Sequence, residues 1–312
     1  MPTNAKLRAF VPIVMLREAW AAGRRKLKRH LFYSRFVAYP ALAQKAFAPV
    51  ARPRVLAAIV HIVSEEEHAG QGTSQVKVDR LVTTLDGLLC SFAHCELKVL
   101  LVTMSGRHVA HRLPPRLQPL VELVLADGTD PMFVGFPAQD ALIARRDSHD
   151  WFMFIEDDIE IRDSAFLDKV ARFAALPGME RAVLMPNRFE YLDGVKRYID
   201  LTHMADHIAW NQASMIRHDG NCFAECSNPH AGVFLLSRAQ LDTWQASGRE
   251  WRGKDMYGGS RESAATFSLM ESFVLYKPHI DNLYYLEVRH VDTKYSLMHP
   301  HLTEYTYSAV AR

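Results

Sequence analysis

The stretch HDWFMFIEDDIEIRD, residues 149–163, runs five apolar residues, Trp151 to Ile155, directly into Glu156, Asp157 and Asp158. A run of that length and aromatic, β-branched composition reads as a buried strand. The question it raises is why a chain should bring three carboxylates to the end of such a strand. The residues to either side give the strand its setting.

Upstream, VLAAIVHIV (55–63), LKVLLVT (97–103) and LVELVL (120–125) have the same strand character, and AVLMP (182–186) follows downstream. Between the first two, Val78, Leu81, Val82, Leu85, Leu88, Leu89 and Phe92 repeat at helical spacing and define one apolar stripe. AQDALIARRDSH precedes the 151–155 run as a shorter helix, and SAFLDKVARFAAL follows it with Asp163 or Ser164 available as its cap. Strands and helices in alternation predict an α/β fold, a mainly parallel central sheet flanked by helices. In such sheets ligands bind at the carboxyl ends of the strands, where the three acids would stand.

The later half is less regular. RFEYLDGVKRYIDLTHMADHIAWNQASMIRHDGN (188–221) mixes aromatics, His and charge without a clear period and reads as hairpin and loop, HAGVFLLSRAQLDTWQ as a strand and a helix capped near Ser237, and GKDMYGGSRE as a Gly-rich loop. RESAATFSLMESFVL reads as one helix through Ala264, Phe267, Met270 and Val274, and NLYYLEV as a last strand.

Three adjacent carboxylates raise one another's pKa, and a divalent ion resolves the conflict. Hard ions such as Mg²⁺ or Mn²⁺ take oxygen ligands and are held by one or two carboxylates together with substrate phosphates. A solvated loop, or the acidic start of the next helix, would account for the same residues without a metal.

Composition narrows the classes. Lys and Arg total 37 against 35 Asp and Glu, so overall charge gives no reason to expect a nucleic-acid partner. The basic surplus is concentrated in residues 1–54, where Glu18 is the one acid. That segment is expected to be a separate helical arm, packed on the main domain or on a second subunit, or resting on an anionic membrane surface. Arg17 and Glu18 interrupt its apolar run before the roughly 18–20 residues of a membrane span are reached, and a signal peptide's order is missing. The expectation is a cytoplasmic protein with peripheral contact at the inner membrane face. Four cysteines are too few for a disulfide framework. His218, Cys222, Cys226 and His230 recur every four residues, which on a helix spreads them over roughly 18 Å. They could share a zinc ion only if Asp219-Gly220-Asn221 and Asn228-Pro229 fold the stretch into turns.

The segment FPAQDALIARRDSHDWFMFIEDDIEI resembles the central stretch of the nucleotide-sugar glycosyltransferases of the GT-A type, whose signature is an Asp-x-Asp or Glu-Asp-Asp motif after an apolar strand. The resemblance covers residues 55 to 295. It implies a catalytic domain over 55–300, a C-terminal tail over 301–312, and a metal bridging a nucleotide diphosphate. Asp158 would be the direct ligand, Glu156 would face the ribose or the metal through water, and Asp157 would belong with Glu156 to the nucleotide-binding set. It further implies that His290, with His299 and His301 following it, completes the metal site, as against a surface or hydrogen-bonded histidine at a strand end, and that Arg289 and Lys294 neutralise the leaving diphosphate. Asp127 would contact the nucleoside, as against a plain turn Asp before Gly128. His230, Ala231 and Gly232 would line the donor sugar, as against a plain strand entry. Glu262, at a helix start after the Gly-rich loop, would be the base of an inverting transfer, with Glu271 as its rival. The loop after the first strand departs from the family's pattern, with Glu65, Glu66 and Glu67 and an insertion up to residue 75, so base recognition does not carry over.

The resulting expectation is transfer of a sugar from a nucleotide-diphosphate donor to a glycan or lipid-linked glycan, in cell-surface polysaccharide synthesis. Two alternatives accompany it: a nucleotidyltransferase acting on sugar phosphates, and a catalytically silent carbohydrate-binding relative. A nucleotidyltransferase would be expected to carry a Gly-rich, Lys-bearing loop after the first strand, and HIVSEEEHAGQGTSQVK shows no clear version of one.

Overall fold

The computed structural model describes residues 52–203, 206–256 and 258–298. The basic arm falls outside this range up to residue 51, as do His299, His301 and the C-terminal tail. Among the described residues no helix is long and apolar enough to cross a membrane.

The chain opens with β1 (Arg54–Val60), the short helix α1 (Glu65–His68), the long helix α2 (Ser74–Ser91), β2 (Glu96–Thr103) and β3 (Val121–Leu125). Next come α3 (Gly135–Ala144), β4 (Trp151–Glu156), the two-residue β5 (Ile159–Glu160) and α4 (Phe166–Ala174). Strands β1 to β4 lie in the order β4-β1-β2-β3, all parallel, and Val55 to Ile59 and Phe152 to Ile155 are buried on both faces of the sheet. The expected mainly parallel α/β architecture is what the chain adopts. Val78, Leu81, Leu85 and Leu88 of α2 bury the predicted stripe. Helix α4 starts later than expected and its cap position is Ala165; Asp163 Oδ1 instead accepts the Ala165 N–H at 2.9 Å.

The remaining strands build two further sheets and a short ribbon. They are β6 (Ala182–Leu184), β7 (Asn187–Leu192), β8 (Val195–Tyr198), the ribbon β9 (Thr202–His203) and β10 (Asp206–His207), β11 (Ile216–His218) and β12 (Asn221–Glu225). After them come β13 (Val233–Ser237), α5 (Arg238–Ala246), α6 (Ser260–Ala265), β14 (Val274–Pro278), β15 (Glu287–His290) and α7 (Lys294–Met298). Strand β13 closes the central sheet, antiparallel to β4, with Val233 opposite Ile155. It therefore delivers Gly232 to the same edge as Glu156.

Three expectations are corrected. The 182–186 run does not extend the central sheet: β6 pairs with β14 in a separate sheet of order β11-β12-β14-β6. The single helix expected over 261–275 stops at Ala265, where Thr266 turns to φ −152°, and becomes a 3₁₀ helix over Phe267–Glu271 before Val274 opens β14. Met270 and Val274 are exposed, so the apolar spacing marked no common buried face. The last strand begins only at Glu287, after a 3₁₀ segment over Ile280–Tyr285.

Within the stretch read as hairpin and loop, β7 and β8 form a hairpin turned by Asp193 and Gly194 at φ +52° and +76°. Both central residues lie in the left-handed region, as a type I′ turn requires. The Ser237 cap is also present, as a capping box with Gln240.

Candidate active site

Glu156 ends β4, and within three residues the chain has started β5. Strand β5 pairs antiparallel with β15, setting Ile159 opposite His290. That register places the His290 ring beside Asp158, Nε2 to Oδ2 at 3.4 Å. On its other side β15 runs parallel to β7, and His290 Nδ1 meets Glu190 Oε1 at 2.8 Å. Glu190 is fully buried and also accepts the backbone N–H groups of Ser296 at 2.7 Å and Tyr295 at 3.3 Å. Two carboxylates thus flank one imidazole.

The three acids of the motif have separate fates. Asp157 Oδ2 lies 2.5 Å from His61 Nδ1, just beyond β1. Burial tends to raise the Asp158 pKa, but His290 and Arg188 outweigh it and hold the carboxyl below its ordinary value. Burial, then repulsion from Asp158, pushes Glu156 up to about 8. One acid is thereby partnered by histidine, one ionised and one protonated at neutral pH, which is how the chain's own groups relieve the crowding that the sequence implies.

A cavity of about 300 Å³ opens at this edge, lined by Glu156, Asp157, Asp158, His290, His230 and Glu262 among others. Lys77, Arg80, Arg188, Arg261 and Lys294 add positive charge around it. Arg80 is paired with Asp292 at 2.7 Å. Arg188 is buried and fixed by Asp200, its backbone N–H to Oδ2 at 2.8 Å and its Nε to Oδ1 at 2.9 Å. The fully buried Lys277 supports the same carboxylate at 2.6 Å and donates to the His230 carbonyl at 2.7 Å. His230 itself meets Thr266 Oγ1 at 3.0 Å.

A divalent ion fits this arrangement. Asp158 Oδ1 is buried and has no hydrogen-bond partner among the described residues, an unsatisfied acceptor at the cavity wall. Burial favours neutral His290, yet Asp158 and Glu190 overcome it and raise the imidazole to about 9, so the pair of acids holds a cation between them. A metal at Nε2 would take that proton's place, with Glu190 fixing Nδ1 as the protonated nitrogen, the usual support for a ligating histidine.

Of the residues singled out in the sequence, Glu156, Asp157, Asp158, Glu262, His290, His230 and Lys294 share the cavity. Gly232 adjoins it: its carbonyl accepts the Glu156 N–H at 2.9 Å, and a Cβ there would stand 2.6 Å from Glu156 Oε2. Ala231 is fully buried at the same turn.

Three others lie elsewhere. Glu271 is exposed at the end of the 3₁₀ helix and lines no part of the cavity, because the chain leaves helical geometry at Thr266. Asp127 is exposed and bound to Ser105, N–H at 2.8 Å and Oγ at 2.6 Å, in the turn after β3. Arg289 neighbours His290 on a strand and so points to the opposite face, where it lines a second cavity with Glu160, Phe189 and Glu287. The His218, Cys222, Cys226 and His230 quartet is divided between the β11–β12 hairpin and the cavity, and Cys222 faces His279 and Asp281 instead.

Sequence reasoning missed Arg188, Glu190, Asp200 and Lys277. The available signal was Arg188 and Glu190 two apart in RFEYL, polar residues sharing one face of a strand whose other face carries Phe189.

No known family and no curated protein matches the chain. Among solved structures it is similar to a mannose-1-phosphate geranyltransferase from Thermus thermophilus, at 13% identity and TM-score 0.39 over 72% of this chain and 73% of that one. It is similar to a 4-diphosphocytidyl-2C-methyl-D-erythritol synthase at 13% and 0.38, over 81% and 99%. A candidate glucose-1-phosphate thymidylyltransferase from Bacillus anthracis, solved with sucrose, gives 7% and 0.37, over 72% and 87%. At such scores these likenesses carry no weight for activity. The class assigned here, a mainly parallel α/β fold with a carboxylate–histidine site at its strand ends, rests on this chain's own strand order and geometry.

Proposed function

We propose that the chain is a metal-dependent transferase acting on a nucleotide-linked sugar, with transfer of the sugar from a nucleoside diphosphate to a hydroxyl as the finer reading. The observation that supports it most is the array Glu190–His290–Asp158, with an unsatisfied Asp158 oxygen, in a cavity that also holds Glu262 and several cations.

On this reading Asp158 Oδ1 and His290 Nε2 hold Mn²⁺ or Mg²⁺. The ion would supply Lewis-acid stabilisation of the departing diphosphate. Lys77, Arg261 and Lys294 bind its phosphate oxygens, and Arg188, anchored by Asp200, presents fixed positive charge behind them. Glu262, in the first turn of α6, takes the proton of the acceptor hydroxyl while the new carbon–oxygen bond forms and the sugar–phosphate bond breaks. Gly232 keeps the wall beside Glu156 thin enough for the donor sugar to approach. A glycan or lipid-linked glycan acceptor, a catalytic domain over 55–300 and membrane docking by the basic arm of residues 1–54 belong to the same proposal.

A second reading is nucleotidyl transfer between a nucleoside triphosphate and a sugar phosphate. The ring of Lys77, Arg80, Arg188, Arg261 and Lys294 favours it, since two phosphate-bearing substrates need that much positive charge. Against it, the chain after β1 passes through His61 to the Ser64-capped helix α1 with no Gly-rich, Lys-bearing loop between.

Product analysis separates the two. Incubation with Mn²⁺ and a panel of nucleotide sugars should release nucleoside diphosphate and free or transferred sugar. Pyrophosphate from a nucleoside triphosphate plus a sugar 1-phosphate would establish the second reading. Neither product with any substrate would contradict both and leave the silent carbohydrate binder.

A further inference from the structure

Outside the residues that line the cavity, three histidines come together, one from the end of a short helix and two from the segment after β2. His68 ends α1, His108 lies in the turn after β2, and His111 sits in the 3₁₀ helix Ala110–Arg112. One ring nitrogen from each lies within 4.8 Å of the other two. The ring centroids are 4.8 Å apart for His68 and His111, 5.1 Å for His68 and His108, and 5.9 Å for His108 and His111.

We infer that His68, His108 and His111 form a second metal site, suited to an imidazole-preferring divalent ion of the zinc type and separate from the hard-ion site at Asp158.

The ring orientations support this. His68 Nδ1 points at the His108 carbonyl at 2.6 Å, leaving Nε2 free. That ring is therefore held through one nitrogen by the backbone of another member of the trio, the arrangement that orients and polarises a ligating histidine in metal sites. The Ala110 N–H faces His108 Nδ1 at 3.3 Å, a long contact that a small ring rotation surrenders. Nitrogens bound to one tetrahedral zinc at about 2.0–2.1 Å stand roughly 3.3 Å apart, within easy reach of the present spacing. Three imidazoles leave a fourth position, which the exposed His111 opens to water.

The site is also joined to the acidic motif. Val109, between two of the ligands, donates its N–H to His61 Nε2 at 3.2 Å, and His61 Nδ1 meets Asp157. An ion gripping residues 108 and 111 holds the turn that orients His61.

The test uses the full-length chain stripped of metal and Co²⁺ as a spectroscopic probe, with Zn²⁺ as competitor. Wild type should bind one Co²⁺ with visible ligand-field bands that Zn²⁺ displaces, and Asp158→Ala should retain them. Affinity should fall about a hundredfold or more in His111→Ala and His68→Ala. His111→Cys, which keeps a ligand and changes only an exposed position, should restore Zn²⁺ binding and show that lost binding is not lost folding. Absence of the bands in wild type, or wild-type affinity in His111→Ala, would overturn the inference.

Discussion

Gly232 enters β13 at φ +64°, a conformation open to glycine, with Glu156 Oε2 pressed where a side chain would begin. Gly232→Ala should therefore lower stability by about 1–2 kcal/mol from the backbone alone. It should weaken nucleotide-sugar binding more than that loss explains; binding unchanged relative to wild type would remove Gly232 from the site. Glu262 gives a second prediction: Glu262→Gln should lower kcat about 10²–10⁴-fold with nucleotide affinity intact. Glu271→Gln should leave kcat alone, and the reverse pattern would exchange their roles. His230 gives a pH dependence. Burial, aided by Arg188 and Lys277, holds its imidazole well below the ordinary value. The unfolded chain takes up a proton near pH 6.5 that the native chain refuses, so this share of stability is whole above about 6.5 and is lost as pH falls toward the native value. Urea titrations between about pH 7.5 and 5 should show a loss that is smaller in His230→Gln. Equal slopes would place the acid sensitivity elsewhere.

At the scale of elements, the site is a consequence of register. β5 is only two residues long, yet its pairing with β15 sets Asp158 against His290, and the β15–β7 pairing sets His290 against Glu190. Glu190→Gln should accordingly weaken Mn²⁺ binding about 10–100-fold, measured by calorimetry, without removing a ligand. The acidic motif was legible because a five-residue apolar run announces its strand, and His290 because it follows a short β-rich run near the chain's end. Glu190 was not, because the histidine it orients lies a hundred residues on in β15, and Arg188 was not, because its bond to Asp200 follows from the fold of the segment after β8 and from no local period. Arg289 shows the same limit: its neighbourhood with His290 was visible, but a strand's alternation sends adjacent residues to opposite faces. Glu271 stands away from the cavity because the chain breaks at Thr266, and apolar spacing alone gave no sign of that break.

At the scale of the whole molecule, the parallel half was readable from its alternating runs and long helix, whereas the assignment of β6 to a second sheet depends on long-range pairing with β14. The fully buried Lys277 ties these halves together, donating to Asp200 behind Arg188 and to the His230 carbonyl before β13. Lys277→Met should leave Asp200 with one cation instead of two, costing about 3–5 kcal/mol, the usual penalty for breaking a buried ion pair. A stability change below about 1 kcal/mol in urea unfolding would show the pair to be dispensable. A divalent ion at Asp158 and His290 that receives a nucleotide diphosphate is open to calorimetric titration of a panel of nucleoside diphosphates with and without Mn²⁺, on wild type and Asp158→Ala. One nucleotide should bind, only with Mn²⁺ present, and its binding should disappear in the variant. Binding that is indifferent to Mn²⁺, or that survives Asp158→Ala unchanged, would contradict that assignment.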